Sequence, residues 1–130
     1  MNFAKRVFLI AGIYGLLVLL PQYFLEEKTG RDFPPSITHS EYYYGFIGIA
    51  VAWQIVFLIV SRDPVRYRFI MIPAIVEKAV FGIPAIILFV TGRLGAPVFG
   101  AAMVDLLLGI LFFIAYLRLK TSARTSRSQH

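Results

Sequence analysis

The sequence predicts an all-α integral membrane protein, an antiparallel bundle of four helices with both termini on the cytoplasmic side. Three observations carry this reading. Of the 130 residues, 58% are hydrophobic and 15% charged, against about 45–50% and about 25% in soluble domains. A chain this short could not hide so much apolar surface from water. The apolar residues gather into four runs of about 20, the length that crosses about 30 Å of hydrocarbon as a helix. The lysines and arginines fall mostly at one side of those runs, which is the bias that orients a multi-span chain.

The first span is expected at about 7–25. Lys5 and Arg6 precede it as they would precede a secretory leader, but Pro21-Gln22-Tyr23-Phe24-Leu25 is bulky where a cleavage site needs small residues. The run is therefore read as a retained span. A polar connection follows at 26–35 and closes on Pro34-Pro35, which cannot continue a helix. The second span is expected at about 42–60, with Thr38 or Ser40 as its cap. Tyr42, Tyr43 and Tyr44 match the aromatic belt of a membrane interface. Ser61-Arg62-Asp63-Pro64 is a short polar turn into the third span, at about 69–91. Thr91-Gly92-Arg93-Leu94-Gly95-Ala96-Pro97 is a Gly/Pro turn into the fourth, at about 98–119. Residues 1–120 thus form one four-span domain, and 121–130 a basic tail of disordered composition.

With the N-terminus inside, the inner side holds Lys5, Arg6, Arg62, Arg66, Arg68, Arg118, Lys120, Arg124 and Arg127. The outer side holds Lys28, Arg31 and Arg93, nine against three. The net charge of +6 is therefore a topology signal and a contact for anionic headgroups. It does not argue for a nucleic-acid partner. The expected surroundings are the lipid bilayer, with a homo-oligomer or a larger membrane complex as the partner classes left open.

No cysteine is present, so thiolate metal sites and thiol redox chemistry are excluded. His39 and His130 both lie outside the apolar runs, which excludes a bis-histidine haem. No glycine-rich phosphate loop is present. No cofactor or metal is expected, and the balance leans away from an enzyme.

Charged groups within a span cost about 2.5–3.5 kcal/mol on insertion scales and face the bundle interior. This chain has three, Glu77, Lys78 and Asp105. At about 1.5 Å per residue, Tyr14, Gln54 and Glu77 come to similar depths. Two readings follow: Glu77 bonds Gln54 or Tyr14 to lock the bundle while Lys78 snorkels inward, or Glu77 is a protonatable or substrate-binding carboxylate. Folding the last two spans about Gly95 sets Asp105 level with Ala85, outward of Glu77. A Lys78–Asp105 bridge then looks strained, because side chains lean toward their own helix N-terminus. Asp105 is expected near Pro84, whose ring frees the carbonyl of Val80. Pro73 and Pro84 bracket Glu77. The small-residue faces Ala101-x-x-x-Asp105-x-x-x-Gly109, Ala11-x-x-x-Gly15 and Gly48-x-x-x-Ala52 read as helix contacts. At the outer mouth, His39 and Glu41 form a candidate acid/base pair without a third metal ligand.

The residues Tyr44-Gly45-Phe46, Ala52-Trp53-Gln54, Ser61-Arg62-Asp63-Pro64-Val65-Arg66-Tyr67-Arg68, Glu77-Lys78, Gly92-Arg93, Asp105-Leu106-Leu107-Leu108-Gly109 and Ala115-Tyr116-Leu117 resemble small bacterial four-span membrane proteins without an assigned reaction. The layout also resembles the DoxX-like group in span number and size. These resemblances imply a bacterial cytoplasmic membrane and carry over no catalytic role. Small multidrug exporters use a first-span glutamate that this chain lacks. Sterol-isomerase-like enzymes use intramembrane histidines that it also lacks. Three readings of function stay open. The first is proton-linked binding or transport of a small molecule. The second is an accessory or structural subunit whose buried polar groups set helix packing. The third is an enzyme acting on a lipid or quinone.

Overall fold

The computed structural model describes residues 2–32 and 37–128, with side chains described for 3–32 and 37–119. The Pro34-Pro35 break and His130 lie outside the described residues, as do the side chains of Lys120, Arg124 and Arg127. Among the described residues there are five α-helices and no strand: α1 (Asn2–Leu19), α2 (Glu26–Asp32), α3 (Ser40–Arg62), α4 (Met71–Val90) and α5 (Ala96–Ser128). A 3-10 turn at Leu20–Phe24 prolongs α1, and another at Arg68–Ile70 leads into α4.

Four stretches are long and apolar enough to cross a membrane: Phe3–Phe24, Ser40–Arg62, Arg68–Val90 and Ala96–Leu119. At 22 to 24 residues each has a length of roughly 33–36 Å. Between 22% and 33% of each apolar window is buried within the chain. The rest is apolar exterior, with Leu17, Ile49, Val80 and Val90 each more than three-fifths exposed. Water would not tolerate apolar surface on that scale. The exterior is built to face lipid, and the chain is a multi-pass membrane protein.

Most span ends fall within a few residues of expectation. The first span starts four residues early because Ala4 and Val7 are buried, so the turn before Val7 is held helical by packing. The polar connection is not all loop. Residues Glu26–Asp32 form a helix with two acids in the first turn and Arg31 in the last, which complements the helix dipole. Lys28 adds an i,i+4 bridge to Asp32 at 2.6 Å. Helix α5, which holds the fourth span, runs on to Ser128, into the segment expected to be a disordered tail. From Ile110 to Ser128 the sequence has neither Gly nor Pro, so no breaker ends the helix at the lipid boundary.

The helices pack as two pairs, α1 on α3 and α4 on α5, and α1 joins the pairs by also touching α5. Small residues set both seams. On α1, Ala11 is fully buried. A Cβ at Gly12 would collide with Leu58, and one at Gly15 would overlap the Gln54 side chain. Of the other expected small-residue faces, Gly109 is a contact, but Ala52 and Ala101 are exposed. Ala102, one position on, is the buried residue.

The core is a cluster of phenylalanines from three helices. Phe8 stacks on Phe112 with ring centroids 4.1 Å apart, and Phe57 meets Phe112 edge-on at 5.0 Å. All three are fully buried. Between α4 and α5 the chain turns at Gly92, whose φ of +77° is the left-handed conformation that glycine adopts without steric cost. The Arg93 amide then reaches back to the Leu88 carbonyl at 2.7 Å, and Phe89 stacks on Phe99 across the turn at 4.0 Å.

Candidate functional site

The charged residues away from the span ends, Glu77, Lys78 and Asp105, form one cluster. Lys78 is 4% exposed, and its Nζ lies 3.2 Å from Asp105 Oδ1 and 3.7 Å from Glu77 Oε2. Nζ also stands 5.0 Å from the centre of the Phe57 ring. One ammonium on α4 is thus shared by its own neighbour, by a carboxylate of α5 and by the face of an aromatic ring of α3. Each contact gains strength where water is scarce.

The Lys78–Asp105 bridge corrects the expectation that it would be strained. The reason is register. Gly82 abuts Leu106, Gly109 abuts Lys78, and Phe89 stacks on Phe99. These pairs centre the turn near Leu94 rather than Gly95. Asp105 then stands level with about Ile83, closer to Lys78 than the expected Ala85. A Cβ at Gly109 would lie 3.1 Å from the Lys78 Cβ, so the lysine stem leaves α4 in the space that glycine provides. It then covers about one helical turn along α5 to reach Asp105, a rise of about 5.4 Å. The flexible four-carbon stem outweighs the lean of the two Cα–Cβ bonds. Asp105 consequently bonds Lys78 and not the Val80 carbonyl. Glu77 and Lys78 are adjacent on one helix and leave it about 100° apart; the long lysine brings its tip back to the glutamate. Pro84 lies inside α4, but Pro73 sits in its first turn, where no amide bond is lost.

The expected layer of Tyr14, Gln54 and Glu77 does not converge. Gln54 is buried, but its Nε2 donates to the Ala50 carbonyl at 2.9 Å, one turn back on its own helix. Its Oε1 fills the space above Gly15 and has no hydrogen-bond partner. Tyr14 is 38% exposed and turns toward the exterior. Glu77 Oε2 is buried and accepts no hydrogen bond. Equal depth did not mean equal direction, since at 100° per residue neighbouring positions face different helices.

At the opposite end of α3, His39 and Glu41 do approach, Nδ1 to Oε1 at 3.2 Å, but both are about two-thirds exposed. His39 also stacks on Tyr42 at 4.8 Å. Among the described residues no group of three metal-type ligands forms. His39 caps α3 by position, with no side-chain cap bond. The expected cap, Ser40, is used otherwise: its hydroxyl donates to Glu26 Oε1 at 2.5 Å. Tyr44 donates to the other oxygen, Oε2, at 2.8 Å, and Tyr43 donates to the Gln22 carbonyl at 2.6 Å. These donors, Ser40 first and Tyr44 second, hold the Glu26 carboxyl below its usual range. Tyr43 and Tyr44 are therefore fasteners between α3 and the chain before it. Sequence reasoning missed Glu26; an acid five residues after Pro21, at the head of a polar run, gave no periodic signal.

A second group it missed is Arg68. Its Nε donates to the Tyr116 carbonyl at 3.3 Å, and its guanidinium lies 4.0 Å from the centre of the Tyr116 ring. Arg118 likewise covers Phe3 at 4.5 Å.

Two surface clefts stand apart from the charged cluster. One, of about 540 Å³, is lined by Lys5, Leu9, Ile13, Leu58, Ser61 and Arg62. The other, of about 400 Å³, is lined by Glu26, Glu27, Gly30, Arg31 and Ile37. Neither lining includes Glu77, Lys78 or Asp105. No protein-family model, curated protein or solved structure matches the chain.

Proposed function

We propose that this is a small antiparallel four-span protein of a bacterial inner membrane, N-in and C-in, whose Glu77–Lys78–Asp105 cluster binds a proton. The charge count of the cluster carries the reading: two carboxylates surround one ammonium. With all three ionised, the cluster holds one uncompensated negative charge within a span, where charge is expensive. One proton makes it neutral. Asp105 keeps the closer contact to Lys78, and Glu77 Oε2 is the buried oxygen without a hydrogen bond. Glu77 is therefore the proton carrier of the cluster, and Lys78–Asp105 the pair that positions it. Uptake and release of that proton would couple to binding or transport of a small molecule. The orientation is supported by the nine-to-three distribution of cations. It is supported too by Arg118 over Phe3 and Arg68 over Tyr116, which draw the basic ends together.

Infrared spectroscopy of the protein reconstituted in vesicles tests this. A carbonyl band of a protonated carboxyl group should be present at neutral pH and vanish in Glu77→Gln. No such band in the parent protein, or a Glu77→Gln variant with unchanged expression, stability and cellular phenotype, would remove the proton site. The second reading, an accessory subunit whose cluster locks α4 to α5, is favoured by the near-complete burial of Lys78 and by the absence of all three cluster residues from the linings of both clefts. In that case partner assembly responds to Lys78 and Asp105 substitutions and not to Glu77→Gln.

A further inference from the structure

The larger cleft has a built polarity that the charged cluster does not explain. Its wall on α1 is the stripe Lys5, Leu9, Ile13, one residue per turn; its wall on α3 is Leu58, Ser61 and Arg62. The cations stand together at one end, and the apolar side chains run from there into the span. From Lys5 to Ile13 the wall rises roughly 12 Å. Lys5 and Arg62 have no carboxylate partner among the described residues, and Asp63, next to Arg62, accepts the Arg66 amide at 3.3 Å. Ser61 has already committed its proton to the Leu58 carbonyl at 2.6 Å, so anion recognition falls to the two cations.

We infer that this cleft is a binding site for one anionic phospholipid, its phosphate between Lys5 and Arg62 and an acyl chain along Leu9, Ile13 and Leu58. Basic pockets between spans recognise such headgroups. A free phosphate would leave the apolar wall unused. A zwitterionic lipid would bring an ammonium into a lining that holds two cations and no acid. None of the lining residues belongs to the Glu77 cluster, so the site stands or falls independently of the proton-site reading.

Delipidated protein in a mild detergent provides the test, with thermal unfolding and native mass spectrometry as readouts. Phosphatidylglycerol should raise the melting temperature and remain bound. Phosphatidylcholine with the same chains, and inorganic phosphate, should do neither. Lys5→Gln with Arg62→Gln should weaken phosphatidylglycerol binding about thirty-fold, while Lys28→Gln with Arg93→Gln should leave it unchanged. Ile13→Trp fills the apolar half without altering charge and should also displace the lipid, so the site can be judged even if the double variant misfolds. Equal binding of phosphatidylcholine, equal stabilisation by inorganic phosphate, or full retention of phosphatidylglycerol in Lys5→Gln/Arg62→Gln or in Ile13→Trp would overturn the assignment.

Discussion

Lys78→Met removes one charge and keeps most of the side chain's volume. The structure sets the expected loss. The ammonium is 4% exposed and bonded to Asp105 at 3.2 Å, a charge-assisted bond of about 1.5–3 kcal/mol. It lies over Phe57 at 5.0 Å, a cation–π contact of about 2 kcal/mol when desolvated. Removing it strands Asp105 and Glu77 beside each other, and breaking a buried pair costs about 3–5 kcal/mol. Protonation of the stranded acids limits the loss, so about 3–4 kcal/mol is expected in reversible unfolding from detergent micelles. The decisive comparison is Lys78→Met with Asp105→Leu and Glu77→Gln. With no charge left, this variant should recover most of the stability, because apolar replacement of a buried ion pair is often neutral or favourable. If Lys78→Met costs less than about 1 kcal/mol, or if the triple variant is no more stable than Lys78→Met, the cluster is not the electrostatic lock described above.

Two further outcomes test other parts of the molecule. Gly15→Ala should lose about 1–3 kcal/mol in the same unfolding assay, as expected for overpacking, because its Cβ overlaps Gln54; adding Gln54→Ala should return part of that loss, and a neutral Gly15→Ala would mean a looser α1–α3 seam. Glu26→Gln tests the fastening of α2. A carboxyl held below its usual range stabilises the fold above that range, and the contribution is lost as pH falls through the depressed value. The parent protein should therefore lose its advantage over Glu26→Gln on acidification, and melting curves whose separation does not change with pH would refute the link.

The spans were legible because lipid imposes a length and a polarity that few residues can disguise. Their limits moved where packing overrode polarity: Ala4 and Val7 hold the first turn of α1 inside the core. Helix α2 was hidden because its sequence, Glu-Glu-Lys-Thr-Gly-Arg-Asp, is polar all round and reads as a loop. Glu77, Lys78 and Asp105 stood out in the sequence one by one, from their cost in lipid, and the structure places them side by side. Their pairing was not legible, because a shift of one residue at the turn moves every facing pair, and because a lysine's reach exceeds the lean of its Cα–Cβ bond. Tyr14 and Gln54 show the complementary limit. Depth along a helix can be counted from sequence, but the direction a residue faces depends on which neighbours the helix acquires.

The pairing of Lys78 with Asp105 also bears on how the chain enters the bilayer. Alone in hydrocarbon, α4 presents an ammonium whose nearest carboxylate is the adjacent Glu77. Its better partner is 27 residues further along the chain, on the next helix. Joined by a turn of five residues, Thr91 to Gly95, α4 and α5 can partition as a single hairpin in which cation and anion already neutralise each other. Each charge alone would oppose insertion by about 2.5–3.5 kcal/mol. The bridge thus lets the last two spans enter hydrocarbon together, with neither partner of the ion pair left alone there.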